Sequence, residues 1–342
     1  MSEASEPTGV PLYPRGVRDA LLALVTGFVV GAVMTRYGLC FNRALRRAVF
    51  ERRPTLLRAF AVAVAAQLLF LPMLIAAGVD TLERNAAAGG PALLPVAQVA
   101  GGVVFGAGMA LAGGCITGML WKAGAGAAAL GLAIAGFAVG ELVIRGPGSG
   151  VIETLDDASR PGENGLAEVL DVGYEPVALV LGVAALALLL ARRRDGLVAG
   201  VALGAVAAFA WVAADAAGYG YALGFVGAAD GTRTALETGS APPFQLWLAV
   251  GVIAAGAAFG DRRLRVPDGP RATRAAAGGL LMGAGGSVAH GCNIGHGVTG
   301  VPLLSAGSLL ATVCMATGAL LTWRLLLARH PRLRGRESVL TR

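Results

Sequence analysis

Three cysteines of this chain have sequence neighbours that suit thiol chemistry. Two lie among glycines, in GGCITG around Cys115 and HGCNIG around Cys292. Each glycine weakens a straight helix by about 1 kcal/mol relative to alanine, so we expect helix breaks there. A half-helix that starts at a break offers unpaired N–H groups and a positive dipole end to an anion. A thiol adds soft, polarizable sulfur, which indicates a site for a soft anion. The glycines assigned to this path are Gly114, Gly118, Gly291 and Gly295.

The two motifs end two copies of one sequence, 101–118 and 278–295. Corresponding residues of the two copies are 177 positions apart throughout, as Cys292 is from Cys115. Nine of the eighteen aligned positions are identical. About two identities are expected by chance in a chain so rich in alanine and glycine. The chain therefore contains a duplicated unit with a cysteine at the end of each copy.

Cys40 is the third candidate, in RYGLCFNR at the end of the first apolar run, whereas Cys314 lies in an ordinary apolar stretch and is interpreted as packing. We expect no disulfides, because the cysteines lie in or beside membrane segments and Cys40 faces the reducing side. His290 and His296 flank Cys292, but one thiol and two imidazoles from one loop are a weak metal pattern. We predict no metal and no other cofactor.

Four polar residues stand beside the cysteines and have two open interpretations. They could donate hydrogen bonds to the oxygens of an anion, or they could satisfy the carbonyl groups of the broken helices. These residues are Asn42, Asn293, His290 and His296.

Ionisable residues near the apolar runs are candidates for coupling or gating, since such residues in membranes are functional by default. They are Glu141, Lys122 and Arg43. Lys122 also fits a snorkelling anchor at the membrane surface. Glu141 equally fits an ion pair with Arg145, four residues later.

The composition indicates an integral membrane protein, because 56% of the 342 residues are hydrophobic and only 14% are charged. Nine runs are nearly free of charge and long enough to cross a bilayer as helices. We therefore predict an all-α membrane protein with about nine transmembrane helices, some broken or re-entrant. The runs are near 19–35, 59–79, 97–120, 123–144, 176–191, 196–214, 244–260, 275–292 and 301–323.

The charge distribution predicts the orientation of these runs. Arginine-rich loops, including 36–53 and 262–274, face the cytoplasm by the positive-inside rule, whereas the acidic loop 145–175 faces outward. The basic runs are expected to contact lipid headgroups and no nucleic acid. Nine crossings then make the two copies antiparallel, an inverted repeat typical of secondary transporters. A merely symmetric bundle packed through glycines is the alternative.

The predicted organisation has five parts. These are a polar extracytoplasmic segment (1–18), a first repeat (19–145), an acidic extracytoplasmic linker (146–173), a second repeat (174–325) and a basic cytoplasmic tail (326–342). The N-terminus is thus expected outside and the C-terminus inside.

The paired motifs with their earlier cysteine resemble the YeeE/YedE sulfur-transport family over roughly residues 20 to 325. The resemblance implies a nine-span inverted repeat in which Cys40, Cys115 and Cys292 line an hourglass-shaped path. It also implies that thiosulfate is passed between them through S–H···S contacts. Some relatives carry a fused sulfur-carrier domain, so here such a partner would be a separate small cytoplasmic protein. One branch of the family is linked to selenium, and the motifs do not separate the branches.

These observations favour uptake of thiosulfate or a related sulfur anion across the bacterial cytoplasmic (inner) membrane. Cys115 and Cys292 are expected to form a central constriction, with Cys40 near the inner exit. One alternative is a membrane-bound sulfurtransferase that passes persulfide sulfur to a carrier, for which Cys40 beside its arginines is best placed. The others are a selenium-compound transporter and a structural membrane protein. No Walker motif is present, so we expect no ATP drive within this chain and no enzyme activity.

Overall fold

The computed structural model describes residues 16–159, 172–192 and 195–329. The N-terminal segment up to residue 15, residues 160–171 of the acidic linker and the tail from 330 lie outside the described residues. The described chain is built from α-helices joined by short turns. They are α1 (Val17–Tyr37), α2 (Phe41–Val49), α3 (Thr55–Ala76), α4 (Asp80–Ala87), α5 (Pro95–Ala112), α6 (Ile116–Gly124), α7 (Ala128–Arg145), α8 (Ser149–Asp157), α9 (Tyr174–Arg192), α10 (Leu197–Ala216), α11 (Ala228–Thr238), α12 (Phe244–Phe259), α13 (Gly269–Val288) and α14 (Ala306–Arg329), with a π-helical turn (Gly295–Gly300) and a 3-10 turn (Val301–Leu303) between the last two.

The chain is a multi-pass membrane protein. Within the described ranges, seven helical segments are long and apolar enough to cross a membrane. Two of the nine predicted runs fall outside that set. The run at 244–260 is the 16-residue α12, and the run at 275–292 lies in α13, which begins with charged Arg271 and Arg274. Nine crossings therefore remain a prediction. The seven segments are Val17–Val49, Thr55–Ala76, Pro95–Gly124, Ala128–Arg145, Tyr174–Ala191, Leu197–Ala216 and Ala306–Ala328.

The expected helix breaks are present at Cys115 and Cys292, and a further break, not predicted, lies at Cys40. Helix α5 ends at Ala112, Gly113 adopts a left-handed conformation with φ of 80°, and Cys115 immediately precedes α6. Likewise Gly38 is left-handed after α1, and Cys40 immediately precedes α2. Near Cys292, the break carries a left-handed non-glycine residue, His290, with φ of 57°. Such backbone is uncommon outside glycine and marks a conformation held by its surroundings.

The two copies of the repeat meet face to face as α5 and α13. A Cβ built at Gly101 would lie 2.6 Å from the carbonyl oxygen of Gly285, and one at Gly108 would lie 2.6 Å from that of Gly278. In the aligned sequences Gly101 corresponds to Gly278 and Gly108 to Gly285. Each glycine therefore contacts the counterpart of the other, which requires antiparallel helices. The two helices are therefore antiparallel, as the predicted inversion requires.

Each central helix has a second glycine seam with an outer helix. A Cβ at Gly279 of α13 would overlap the carbonyl oxygen of Ala133 in α7, and one at Gly102 of α5 would lie 3.2 Å from that of Ala311 in α14. Gly102 and Gly279 are again equivalent in the repeat. Close backbone approach through small residues is the usual means of packing helices in lipid.

The remaining long apolar helices and the shorter α12 pack around this centre, four of them in two further pairs. In the first pair, α1 lies along α12, where a Cβ at Gly27 would overlap the carbonyl oxygen of Leu248. In the second, α10 lies along α3, where a Cβ at Gly204 would lie 2.8 Å from the carbonyl oxygen of Ala63. Helix α9 packs mainly against α3. The breaks in α1 and α5 are thereby brought to the same region.

Replacing Gly279 by alanine should destabilise the fold, whereas the same change at Gly131 should not. The added methyl group at Gly279 meets backbone that has no flexible end to move, and overpacking of this kind costs about 1–3 kcal/mol. Gly131 of α7 has nothing within 4 Å of a built Cβ, so alanine there gains helix propensity. The midpoint of thermal unfolding in detergent measures both. Equal midpoints for the two variants would contradict the proposed seam.

Candidate functional site

Cys40 and Cys115 form a buried pair of thiols. The Cys115 thiol donates to the sulfur of Cys40 at an Sγ–Sγ distance of 3.4 Å, and both side chains are 0% exposed. Both are free cysteines, so the contact is a weak S–H···S hydrogen bond and not a disulfide. Cys40 therefore lies directly against Cys115, although the sequence had placed it apart at an inner exit. We call these two residues the thiol pair.

Two half-helices begin at the thiol pair. Cys40 is the residue before α2, Cys115 is the residue before α6, and neither helix has a side-chain cap. One of the free N–H groups, that of Phe41, donates to the Cys115 sulfur at 3.2 Å. Helix N-termini carry partial positive charge, so two of them converge on two polarizable sulfurs. This arrangement can hold a soft anion.

The thiol pair is packed tightly from the side of α6. A Cβ at Gly118 would lie 2.6 Å from the sulfur of Cys40 and 3.1 Å from that of Cys115, so only glycine leaves both sulfurs in place. Thr117 lies with its hydroxyl 3.6 Å from the Cys115 sulfur. The indole N–H of Trp121 donates to the carbonyl of Leu39 at 3.2 Å and ties α6 to the turn before Cys40.

Cys292 lies at a second site with a different wall. Its sulfur accepts a hydrogen bond from the backbone N–H of Gly295 at 3.4 Å, and its side chain is 0% exposed. The loop between α10 and α11, residues 217–227, forms the wall. Tyr221 of this loop donates to the carbonyl of Gly295 at 2.7 Å, and Thr299 donates to the carbonyl of Leu223 at 3.2 Å.

The two sites are equivalent by the repeat but differ in chemistry and space. Gly295 corresponds to Gly118. A Cβ at Gly295 would lie 3.5 Å from the carbonyl oxygen of Leu223 and 3.8 Å from the Cys292 sulfur. Where the first site has the thiol of Cys40, the second has backbone, and it is less tightly packed.

Cys115 and Cys292 follow opposite ends of the antiparallel α5–α13 pair. The part of α5 that contacts α13 runs from Gly101 to Ala112, which is about 16 Å of helix. No contact among the described residues joins Cys292 to the thiol pair. The single constriction expected from the sequence therefore remains a prediction, and the contacts define two sites.

The four polar candidates divide into three that are bonded and one that is not. Asn42 donates to the carbonyl of Met109 at 3.0 Å and accepts from Trp323 at 3.3 Å. The ring of His296 contacts Ser308 at 3.1 Å and the carbonyl of Ala289 at 2.9 Å, while His290 pairs with Asp156 at 2.9 Å. Only Asn293 has both side-chain atoms buried without a partner, at 1% exposure.

Glu141 caps a helix near the second site. One carboxylate oxygen accepts the backbone N–H groups of Ala229 and Asp230, both at 3.0 Å, at the start of α11. The side chain thereby fixes the end of the 217–227 loop, since α11 begins directly after it. Within the described residues no ion pair joins Glu141 to Arg145, the partner considered from sequence; the helix N-terminus takes that place.

Of the remaining single residues, Lys122 and Arg43 lie close enough to Cys40 to interact with it electrostatically, whereas Cys314 packs elsewhere. The ammonium of Lys122 lies 5.4 Å from the centre of the Trp121 ring. Arg43 lies over the turn at Gly38, where its guanidinium is 3.4 Å from a built Cβ. Cys314 packs in the α5–α14 seam with its Cβ 2.9 Å from one built at Gly102.

Sequence reasoning missed several residues that shape these sites. Thr117 and Tyr221 were not selected, although Tyr221 lies in the aromatic segment that corresponds to the Cys40 turn. Gln67 is a fully buried amide in α3 that donates to the carbonyl of Val298 in the π-helical turn at 2.7 Å. A lone amide within an otherwise apolar run was the available signal for Gln67.

Alanine at Gly118 should separate the thiol pair, and alanine at Gly295 should leave the second site open. We expect the Cys40–Cys115 disulfide to form on mild oxidation of the unaltered protein and of Gly295→Ala, because the sulfurs are nearly in contact. Gly118→Ala should slow its formation by more than about tenfold, since disulfide geometry is narrow. Mass spectrometry of peptides under non-reducing conditions measures the bond. Equally rapid formation in Gly118→Ala would refute the packing described above.

Comparison with known proteins identifies the family of this chain. A family model described as sulphur transport matches residues 36–197 and 188–321. The thiosulfate transporter TsuA of Escherichia coli (strain K12) is 28% identical over 331 residues, which cover 87% of this chain and 92% of that protein. The thiosulfate transporter TsuA of Spirochaeta thermophila is 28% identical over 320 residues, which cover 86% and 95%.

The match extends across both copies of the repeat and includes all three cysteines of the two sites. With its paired cysteine motifs carried by an inverted, glycine-packed helix frame, the chain belongs to the sulphur transport family.

Proposed function

We propose that this protein carries thiosulfate, or a closely related sulfur anion, across the bacterial cytoplasmic membrane. The observation that carries the proposal is the thiol pair at the N-termini of two half-helices. The names of the two relatives support thiosulfate as the anion. The N-terminus lies outside and the C-terminus inside, as the arginine-rich loops indicate.

The chemistry of the sites suits this substrate. Thiosulfate has a soft terminal sulfur and three sulfonate oxygens that carry charge. Thiols are weak donors with polarizable sulfur, so they recognise the terminal sulfur better than they recognise sulfate or chloride. Helix N-termini complement the charge, and the cations of Lys122 and Arg43 near Cys40 add to it. A weakly donating thiol site also releases the anion readily, which transport requires.

The two sites act in sequence along the path. With α5 running inward and α13 outward, Cys292 lies toward the outside and the thiol pair toward the cytoplasm. Uptake then proceeds from Cys292 to Cys115 and Cys40. Because a Cβ at Gly118 already meets both sulfurs of the pair, the anion must part Cys40 from Cys115 to pass.

Burial of the thiols favours transport over sulfur transfer to a carrier protein. All three sulfurs belong to side chains with 0% exposure, so a folded carrier cannot reach them. A sulfurtransferase needs a thiol that is accessible to its acceptor. This supports the proposal that the intact anion is the species that crosses.

Substituting each cysteine in turn should show which cysteines line the transport path. Cys115→Ala, Cys40→Ala and Cys292→Ala should each lower uptake of labelled thiosulfate by more than about tenfold, the factor for losing about one hydrogen bond to an ion. Cys314→Ala should retain uptake because that residue packs away from both sites. Uptake is measured in cells lacking other thiosulfate and sulfate importers. Unchanged uptake in all three site variants would refute the path.

Labelled atoms distinguish transport from sulfur transfer. Thiosulfate labelled in its terminal sulfur and its oxygens should arrive inside with both labels on one ion. Arrival of the sulfur label alone, with a persulfide on Cys40, would instead support the sulfurtransferase.

Glu141 should act by holding the 217–227 loop rather than by carrying a proton. Glu141→Gln keeps an oxygen that can accept the same two N–H groups, so uptake should stay within about threefold of the unaltered protein. Glu141→Leu removes the acceptor and should abolish uptake and expose Cys292 to small thiol reagents. Uptake and reagent labelling are measured on the same preparations. Loss of uptake in Glu141→Gln with Cys292 still protected would indicate a coupling role instead.

A further inference from the structure

Asn293 stands out among the buried amides of the protein. Its side chain is 1% exposed, and neither its nitrogen nor its oxygen has a hydrogen-bond partner. Gln98 is equally buried, but its oxygen accepts from the N–H of Leu94 at 3.2 Å and its nitrogen donates to the carbonyl of Ala92 at 2.8 Å. Gln67 has one bonded end. Native proteins rarely leave a whole amide unpaired, and each such group needs an explanation.

The position of Asn293 supplies that explanation. It directly follows Cys292, at the less tightly packed of the two sulfur sites. Asn42 lies two residues after Cys40. Its amide nitrogen donates to Met109 and its oxygen accepts from Trp323, so both polar atoms have hydrogen-bond partners. Asn293 is therefore the chain neighbour of Cys292 and has an unpartnered amide, whereas the inner site has two thiols and a bonded amide.

We infer that Asn293 is the residue that binds the oxygen-bearing end of the anion at the Cys292 site. This role rests on the proposed function. The amide nitrogen donates to a sulfonate oxygen while the thiol faces the terminal sulfur. The amide oxygen accepts from a water that accompanies the anion, as waters commonly bridge buried polar groups. Cys292 with Asn293 therefore selects anions that have soft sulfur at one end and oxygen at the other. The thiol pair, which lacks a free amide, selects for sulfur alone.

Stability and binding should change in opposite directions in Asn293→Leu. Leucine has a similar size and removes two unpaired polar atoms, so the thermal midpoint without ligand should stay the same or rise. Affinity for thiosulfate should fall by at least about tenfold, the factor for one hydrogen bond to an ion. Affinity for thiocyanate, a soft anion without oxygen, should change by less than about threefold. Thermal shifts of the purified full-length protein in detergent, titrated with thiosulfate, thiocyanate and sulfate, give all three quantities.

Two further variants complete the experiment. Gln98→Leu is the matched control, because it removes an amide whose two ends are both bonded, and its midpoint should fall. Asn293→Asp keeps the size but adds negative charge, so it should weaken binding of both thiosulfate and thiocyanate.

The outcomes are distinct. A fall in midpoint for Asn293→Leu as large as that of Gln98→Leu, failure of both Asn293 variants to fold, or unchanged thiosulfate affinity would each overturn the role of Asn293. Absence of a thiosulfate shift in the folded, unaltered protein would instead remove the proposed function and this role with it.

Discussion

The close approach of α5 and α13 through their glycines is the contact on which the rest of the structure depends. Gly101 and Gly108 face Gly285 and Gly278, so backbone meets backbone without intervening side chains. In lipid, where apolar burial gives little drive for helix association, such contacts supply the packing energy. Because each glycine faces the counterpart of the other, the contact can exist only between antiparallel copies. The inverted architecture follows from this one seam.

The seam between α5 and α13 also determines where the two helix breaks lie relative to each other. Each central helix is followed by a glycine-rich break, and the antiparallel arrangement places these breaks at opposite ends of the pair. Unpaired backbone at membrane depth is tolerated only where protein or a cavity surrounds it. At the first break, α2 and α6 begin against each other and one N–H group binds the Cys115 sulfur. The same breaks that a membrane protein must satisfy thus become the sites that suit an anion.

Much of this could be predicted because it is periodic or repeated in the sequence. The apolar runs indicated spanning helices, the constant offset between Cys115 and Cys292 indicated duplication, and the arginine-rich loops indicated inversion. The contact of Cys40 with Cys115 could not be predicted, because the two residues are 75 positions apart in the sequence. Their contact depends on how α1 packs relative to α5 and α6. The sequence also could not show that Asn42 is hydrogen-bonded and Asn293 is not. The partners of Asn42 are Met109 and Trp323, which lie on helices distant in the sequence.

The two sulfur sites show how a symmetric frame can carry two different sites. Two identical sites would bind an anion equally, and neither end would differ from the other. Here the position of the Cys40 thiol in one copy is taken by the backbone of Leu223 in the other, which leaves more space beside Gly295 than beside Gly118. The duplicated seam keeps the frame rigid, so the sites can diverge without loss of packing. Symmetry therefore holds the helices, whereas the differences between the two loops make the two sulfur sites unlike each other.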